Sequence, residues 1–400
     1  MLMKDEELLI EKLKQSIIDE TDLSQELSDE QMLSLIDRTI CADEQISKLG
    51  AVRLAKIRKG LFDSFRRLDI LQELLDDPGI SEVMVNGSKS IYYEKNGRIE
   101  KWNKSFSSVE KLEDIIQQIV SGVNRSVNTA SPIADARLSD GARVNVVLPP
   151  AAPDGPVITI RRFPAKPIDM EALLEKKSIT HEAAEFLKKL VRAGYNIFIS
   201  GGTGSGKTTF LNALSQFIPE GQRVVTIEDS AELQLTVENL VRLEARDANS
   251  DGQGEITIRD LIKTALRMRP DRLIVGEVRG VEALDMLQAM NTGHDGSLST
   301  GHANSPKDML TRLETLVLMG GDLPLSAIRG QIASALDIIV HLGRMRDGSR
   351  KVLSIVEVKE YADDKIELET LFEYREKEGL IKTGELSAKR KLESAGLCEV

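Results

Sequence analysis

The segment Gly201-Gly202-Thr203-Gly204-Ser205-Gly206-Lys207-Thr208 constrains this chain more than any other stretch of its 400 residues. It fits the pattern G-x-x-x-x-G-K-[ST], in which glycines let successive backbone N–H groups turn inward around phosphate oxygens. The apolar run Asn196-Ile197-Phe198-Ile199-Ser200 leads into it, and Thr209 and Phe210 continue a helix that begins near Lys207. Strand, loop and helix thus stand in the order that phosphate binding needs. The helix N-terminus adds positive potential, Lys207 reaches the β- and γ-phosphates, and the Thr208 hydroxyl can ligate Mg²⁺. Gly202, Thr203, Gly204, Ser205, Gly206 and Thr209 complete the cradle. ATP or GTP binding is expected, in an α/β fold whose sheet is mostly parallel, because strand-like and helix-like runs alternate beyond residue 196.

Composition narrows the setting. Hydrophobic residues are 41% of the chain and charged ones 29%, which excludes disordered and fibrous classes. With 53 Lys and Arg against 64 Asp and Glu the net charge is −11, the wrong sign for a protein that coats nucleic acid. No direct nucleic-acid partner is expected. Cys41 and Cys398 sit near opposite ends without metal-type spacing, as suits a reducing compartment. No stretch approaches the ~20 apolar residues that span a bilayer, and the charged opening MLMKDEELLIEKLK does not resemble a signal peptide. A cytoplasmic protein is expected.

Four regions follow from the texture of the chain. Residues 1–68 carry apolar positions at helical spacing, among them Leu8, Ile10, Leu13, Ile17 and Ile18, and read as an N-terminal helical region. Asp76-Asp77-Pro78-Gly79 breaks that pattern. Short strands then appear at Val83–Gly87 and Ile91–Glu94, with Asn96-Gly97 as a hairpin signal. A helix over Ser108–Val120 and strands at Ala142–Leu148 and Val157–Arg162 complete a small α+β domain over 69–165. The linker Phe163-Pro164-Ala165-Lys166-Pro167 cannot continue helix or interior strand. Residues 166–362 form the phosphate-loop domain, and 363–400 a C-terminal strand and charged tail.

A hydrolase needs a carboxylate near the cradle, usually from the tip of a neighbouring strand. Val224–Ile227 ends in Glu228-Asp229, and Arg272–Gly276 ends in Glu277. Gly276 stands where many such enzymes carry a metal-binding Asp, so either Glu277 does more of the work or Glu228 shares it. His294, Asp295 and His302 lack a further partner for a Zn²⁺ site; His302 reads better as a γ-phosphate sensor. Arg137, Arg143, Arg161 and Arg162 precede the loop in a different domain. If they contact nucleotide, they do so across a domain or subunit interface, as arginine fingers do.

The ordered motifs Gly201–Thr208, Glu228-Asp229, Gly276-Glu277-Val278-Arg279-Gly280 and Ser299-Thr300-Gly301-His302-Ala303-Asn304 resemble the Walker A, Asp box, Walker B and His box of the type II/IV secretion ATPase superfamily. Ile80–Gly87, Arg137–Arg143 and Arg269-Pro270-Asp271-Arg272 resemble its CpaF/TadA-like branch, the motors of tight-adherence (Flp) pili. The resemblance covers residues 70 to 360. It implies a RecA-like P-loop NTPase domain behind a small PAS-like α+β domain, with ATP and Mg²⁺ as cofactors. It further implies a homohexameric ring on an inner-membrane platform protein, acting on pilin subunits indirectly. Lys207 and Thr208 match the phosphate and Mg²⁺ contacts, Glu228 and Glu277 the acidic pair, and His302 the His-box histidine. Arg137, Arg143, Arg161 and Arg162 match arginines that reach nucleotide. Gly301 departs from the bulkier residue expected before that histidine. A VirB-type conjugation ATPase and a nucleotide-gated assembly factor remain as alternatives, and residues 1–68 read equally as a docking element or a helical cap.

Overall fold

The computed structural model describes residues 2–20, 27–43, 46, 48–95, 97–122, 127–162, 167–246, 248 and 252–397. The chain forms two compact units, residues 1–165 and 166–400. Of the expected linker only Pro167 lies within the described residues, and Asn96 of the hairpin signal lies outside them, as does Cys398.

The first unit opens with three amphipathic helices, α1 (Leu2–Glu20), α2 (Asp29–Ala42) and α3 (Ala51–Arg66). Ser28 begins α2 with a capping box, its hydroxyl accepting from the Gln31 N–H while Gln31 returns the bond. Leu13, Ile17, Ile36, Ile57 and Leu61 close a small core of their own; Ile18 is left partly exposed. The short α4 (Leu71–Leu75) leads to β1 (Ile80–Asn86), β2 (Ser90–Lys95), β3 (Arg98–Lys101), α5 (Val109–Ser121), β4 (Ile133–Arg137), β5 (Arg143–Val147) and β6 (Val157–Arg161). Their sheet runs β3-β2-β1-β6-β5-β4, antiparallel at every pairing. Period-two burial in β5 and β6 packs Val144, Val146, Ile158 and Ile160 with the Leu112 and Ile116 face of α5. β4 was not expected from the sequence; its Ile-Ala-Asp-Ala-Arg run carries little β propensity and is ordered by its ladder to β5.

The second unit comprises α6 (Met170–Glu175), α7 (His181–Ala193), β7 (Ile197–Gly201), α8 (Lys207–Ser215), β8 (Val224–Glu228), β9 (Leu240–Glu244), α9 (Ile258–Ala265), β10 (Arg272–Val275), α10 (Glu282–Asn291), β11 (Leu298–Gly301), α11 (Pro306–Gly320), α12 (Leu325–Ala335), β12 (Ile338–Arg344), β13 (Arg350–Ala362), β14 (Lys365–Arg375), β15 (Gly379–Lys382) and α13 (Arg390–Ser394). The nine strands lie in the order β15-β14-β13-β12-β7-β11-β10-β8-β9. Six of them, β12 through β9, run parallel; the last three in sequence add an antiparallel flank. The central strands are buried along their whole length, as a sheet covered on both faces requires. Helices α7 and α8 lie over one face, and α9 to α12 over the other. This is the expected α/β architecture.

The expected division at 362/363 falls in the turn of the β13–β14 hairpin. There Asp363 and Asp364 take positive φ, and everything beyond continues the same sheet, so residues 363–400 are no separate segment. The carboxylate of Glu357 anchors the tail by accepting from the N–H groups of Ser387 and Ala388. Among the described residues of the last twenty, helix structure is confined to α13, where Lys391 pairs with Asp295 and Asp337.

Candidate active site

Every residue of β7 is buried, so the loop that follows it starts from a fixed point. At Gly201 a Cβ would sit 2.5 Å from the Leu342 carbonyl oxygen and 2.6 Å from Ser205 Oγ, which leaves room for glycine alone. Gly204 and Gly206 take φ of +69° and +91°, turns that side chains resist. Lys207 is the first residue of α8, and its Nζ donates to the carbonyls of Gly202 at 3.0 Å and Gly201 at 3.2 Å. Burial lowers the Lys207 pKa, with Glu277 opposing. Arg350, 146 residues further on, donates from Nε to the Gly204 carbonyl at 2.9 Å.

The strand that ends before Glu277 is not the loop strand's neighbour: β11 lies between β7 and β10. His302, the residue after β11, bridges that gap. Its Nδ1 is 3.3 Å from Lys207 Nζ and its Nε2 is 2.8 Å from Glu277 Oε1. Nδ1 fits an acceptor toward the ammonium, whereas the approach of Nε2 to Glu277 Oε1 is a close polar contact without hydrogen-bond geometry, and that oxygen is buried with no hydrogen-bond partner. Burial holds the ring below the ordinary histidine pKa against the pull of Glu277. On its other side Glu277 Oε2 receives Arg279 Nη2 at 2.7 Å, while Arg279 Nη1 lies 3.3 Å from Asp229. Burial pushes Glu277 up, but Arg279, His302 and Lys207 outweigh it and hold the carboxyl below the usual range.

Glu228, the end of β8, is 4% exposed. Oε2 accepts from the N–H groups of Glu232 and Leu233 at 2.8 and 3.0 Å, and Oε1 is buried without a hydrogen-bond partner. Burial pushes its pKa up to about 7 despite those two donors. The same packing explains the missing Asp. A Cβ on Gly276 would stand 2.9 Å from Glu228 Cγ, so a side chain there would force Glu228 to shift. Gly301 has a matching cause, since a Cβ there would meet the Phe198 ring at 2.9 Å.

A cavity of about 390 Å³ opens beside the loop, walled by Leu173, Phe210, Leu342 and Val352 and reached by Ser205 and Ser349. Both serine hydroxyls are buried oxygens without a hydrogen-bond partner. His294 and Asp295, by contrast, belong to the turn before β11, at the end of the strand opposite His302. His294 Nδ1 faces the Ala289 carbonyl and Asp295 pairs with Lys391, so these two do not gather with His302.

The four arginines belong to the first unit, and three of them share one line. Arg137 stands opposite Arg143, and Arg143 opposite Arg161, across β4, β5 and β6; Glu82 on β1 is the next residue along. Arg162 does not join them. Its Nη1 donates to the carbonyls of Asp77 and Ile80, which braces it within its own unit and sets it apart from the row of the other three. Sequence reasoning did not single out Arg279 or Arg350. The first lay inside a quoted motif, whereas no sequence signal ties Arg350 to a loop so distant along the chain.

Comparison with known proteins places this arrangement. Residues 66–377 match the family described as type II/IV secretion system protein. Over 309 residues the chain is 35% identical to a putative conjugal transfer protein of Mycobacterium tuberculosis, covering 76% of this chain and 87% of that one. It is 32% identical to the type IV secretion system protein PtlH of Bordetella pertussis, over 72% of this chain and 93% of that one. The pilus retraction motor PilT, solved with bound ADP, shares the fold with a TM-score of 0.53 over 82% of this chain and 86% of that one, at 19% identity. No described helix is long and apolar enough to cross a membrane. With its loop, both acidic strand ends and His302 all inside the matched span, the chain is a member of the type II/IV secretion system ATPase family.

Proposed function

We propose that this chain is a Mg²⁺-dependent ATPase that powers a secretion or pilus machine. The observation that carries the reading is the unbroken contact from Lys207 through His302 to Glu277. It joins a phosphate-binding ammonium to an ionised carboxylate. In this reading Glu277 takes the proton of the attacking water as oxygen bonds to the γ-phosphorus and the bond to the leaving ADP oxygen breaks. Glu228, whose pKa of about 7 leaves it half ionised at pH 7, holds the 229–233 turn through its bonds from the Glu232 and Leu233 N–H groups. The cavity beside Ser205 takes the nucleoside. The Thr208 hydroxyl, Glu277 and Glu228 would hold Mg²⁺; the orphaned buried oxygen of Glu228 fits a site that a cation completes. When bound, the ion neutralises charge on the phosphates.

Arg137, Arg143 and Arg161 supply positive charge to nucleotide from a neighbouring subunit of a homohexamer, and the ring sits at the cytoplasmic face of an inner-membrane platform protein. Two machines fit. The motifs at Ile80–Gly87 and Arg137–Arg143 favour tight-adherence (Flp/Tad) pilus assembly, while the conjugal-transfer and PtlH relatives favour a VirB-type secretion system about as well. Gene neighbourhood separates them, since pilin and platform genes accompany one and conjugation-channel genes the other. The ATPase reading is tested by Mg²⁺-dependent hydrolysis against protein concentration. Specific activity that rises with concentration and vanishes in Lys207→Ala supports a shared site in a ring. ATP binding without turnover would instead support a nucleotide-gated assembly factor.

A further inference from the structure

The β12–β13 hairpin belongs to the same sheet as the loop strand and brings its tip to the nucleotide loop. Leu342 on β12 pairs with Gly201 at the end of β7, and two residues later Arg344 pairs with Arg350 across the hairpin. The turn between them is closed by the Met345 N–H donating to the Ser349 carbonyl at 2.8 Å and the Gly348 N–H donating to the Met345 carbonyl at 3.0 Å. Gly348 to Val352 then wall the cavity beside Ser205. Arg350 thus starts from a fixed backbone. Its side chain crosses the loop on the carbonyl side: a Cβ on Gly206 would stand 3.2 Å from Arg350 Cδ, and Nε donates to the Gly204 carbonyl at 2.9 Å.

A phosphate cradle works only while its N–H groups face inward. A trans peptide unit is planar, with C=O and N–H pointing opposite ways, so whatever holds the Gly204 carbonyl outward also aims the N–H of Ser205. Sterics alone do not hold that unit. Gly204 and Gly206 sit at φ of +69° and +91°, and glycine visits such conformations about as readily as ordinary ones. The Ser205 N–H meets the Gly202 carbonyl only at 3.4 Å, a long contact that does little to fix the plane. Lys207 serves the carbonyls of Gly201 and Gly202. We propose that Arg350 is a positioning residue, which keeps the Gly204 carbonyl turned out and the Ser205 N–H turned toward the phosphates of a bound nucleotide. A charged donor on the carbonyl also polarises the peptide and strengthens its N–H as a donor. The inference deepens the ATPase reading and rests on it for its effect on nucleotide affinity, whereas the set of the peptide is measurable without nucleotide.

Two variants of the full chain test it. Arg350→Met keeps an apolar stem across Gly206 and has no donor. Arg350→Ala removes the stem as well, at an exposed position that N-ethylguanidinium can fill from solution. The chain holds four Gly-Ser steps, Gly87-Ser88, Gly204-Ser205, Gly296-Ser297 and Gly348-Ser349. Cell-free labelling with carbonyl-¹³C glycine and ¹⁵N serine therefore gives four correlations; Ser205→Ala assigns the loop, and the steps at 87 and 296 serve as references. In both arginine variants, without nucleotide, the Gly204-Ser205 correlation is expected to shift while the references stay. Affinity for a fluorescent ADP analogue is expected to fall about tenfold, the scale of one hydrogen bond from a charged donor, with KM for ATP rising in step and kcat within about threefold. N-Ethylguanidinium restores the affinity of Arg350→Ala, and ethylammonium at equal concentration does not. An unmoved Gly204-Ser205 correlation or an unchanged affinity in folded Arg350→Met overturns the proposal. Rescue of Arg350→Ala by ethylammonium overturns it too, since charge alone would then account for the affinity. If the intact protein binds no nucleotide but the correlation moves as stated, the ATPase reading fails and the positioning role survives.

Discussion

The two units carry their chemistry-bearing residues in opposite ways. In the second, six strands run parallel, so their C-terminal ends lie on one edge. The nucleotide loop, Glu228, Glu277 and His302 each occupy such an end, and each comes with its own strand as a short motif. In the first, every neighbouring pair is antiparallel and successive ends point apart. Arg137 and Arg161 close β4 and β6 while Arg143 opens β5, and they meet only because the ladder sets them in register. A parallel sheet concentrates chemistry by direction, an antiparallel one by pairing. The second device is costlier to keep, since like charges directly opposite each other repel.

The largest break of this contrast is expected inside the parallel edge. Lys207→Ala should lower ATP turnover about 10²- to 10³-fold, the scale of losing one charge-stabilising donor. Glu277→Gln should cost turnover by about 10²-fold or more as a lost general base, with nucleotide binding retained in a filter or fluorescence assay. Next come the arginines. Arg143→Ala, from the middle of the row, should lower kcat about tenfold and leave the melting temperature nearly unchanged. Arg162→Ala should do the reverse, since its bonds to the Asp77 and Ile80 carbonyls hold β6 to the entry of β1. Steady-state kinetics beside thermal melting checks both, and a kinetic loss in Arg162→Ala equal to that of Arg143→Ala would erase the distinction between row and brace. Smaller again is Gly276→Ala. Its methyl group meets Glu228 Cγ, and overpacking of this kind costs about 1–3 kcal/mol, readable in a urea midpoint.

Much of the second unit was legible because its functional residues are local in sequence. Gly201–Thr208, Glu277 and His302 could each be placed on a strand end from a window of ten residues. What that window hides is order in space. Nothing in the sequence puts β11 between β7 and β10, so the bridging place of His302 emerged only with the fold. Gly276 illustrates the same limit, since its reason is the Glu228 side chain 48 positions earlier. In the first unit the helical period of α1 to α3 was clear, as was the strand pattern of β1 and β2. The weakly patterned β4 was missed, and with it the alignment of Arg137 beside Arg143. Arg162 looked equivalent to Arg161 because adjacent residues share a sequence context; in a strand they point to opposite faces, and only one of them stands in the row.

The smallest expected effect sharpens the comparison at a place where a perturbed group serves stability alone. In the second unit Lys207, Glu228, Glu277 and His302 all have displaced pKa values at the strand ends that bear the chemistry. In the first, Lys14 on α1 is brought down to about 8, chiefly by burial and then by the ammonium of Lys111 on α5, which itself pairs with Asp69 at 3.2 Å. A lysine whose folded pKa lies below its ordinary 10.5 is bound by fewer protons in the folded chain than in the unfolded one. Stability therefore rises with pH between about 8 and 10.5, and the full penalty is present below that window. Lys14→Met removes the charge and keeps the length of the side chain. Melting of the first unit at pH 7 should rise by about 2 °C, and the gain should shrink as pH climbs past 8 and vanish near 10.5. ATP turnover should not change, because Lys14 belongs to none of the strand ends that bear the chemistry. A gain that persists undiminished at pH 10.5 would mean that the methionine stabilises by packing, and that the two lysines meet without electrostatic cost.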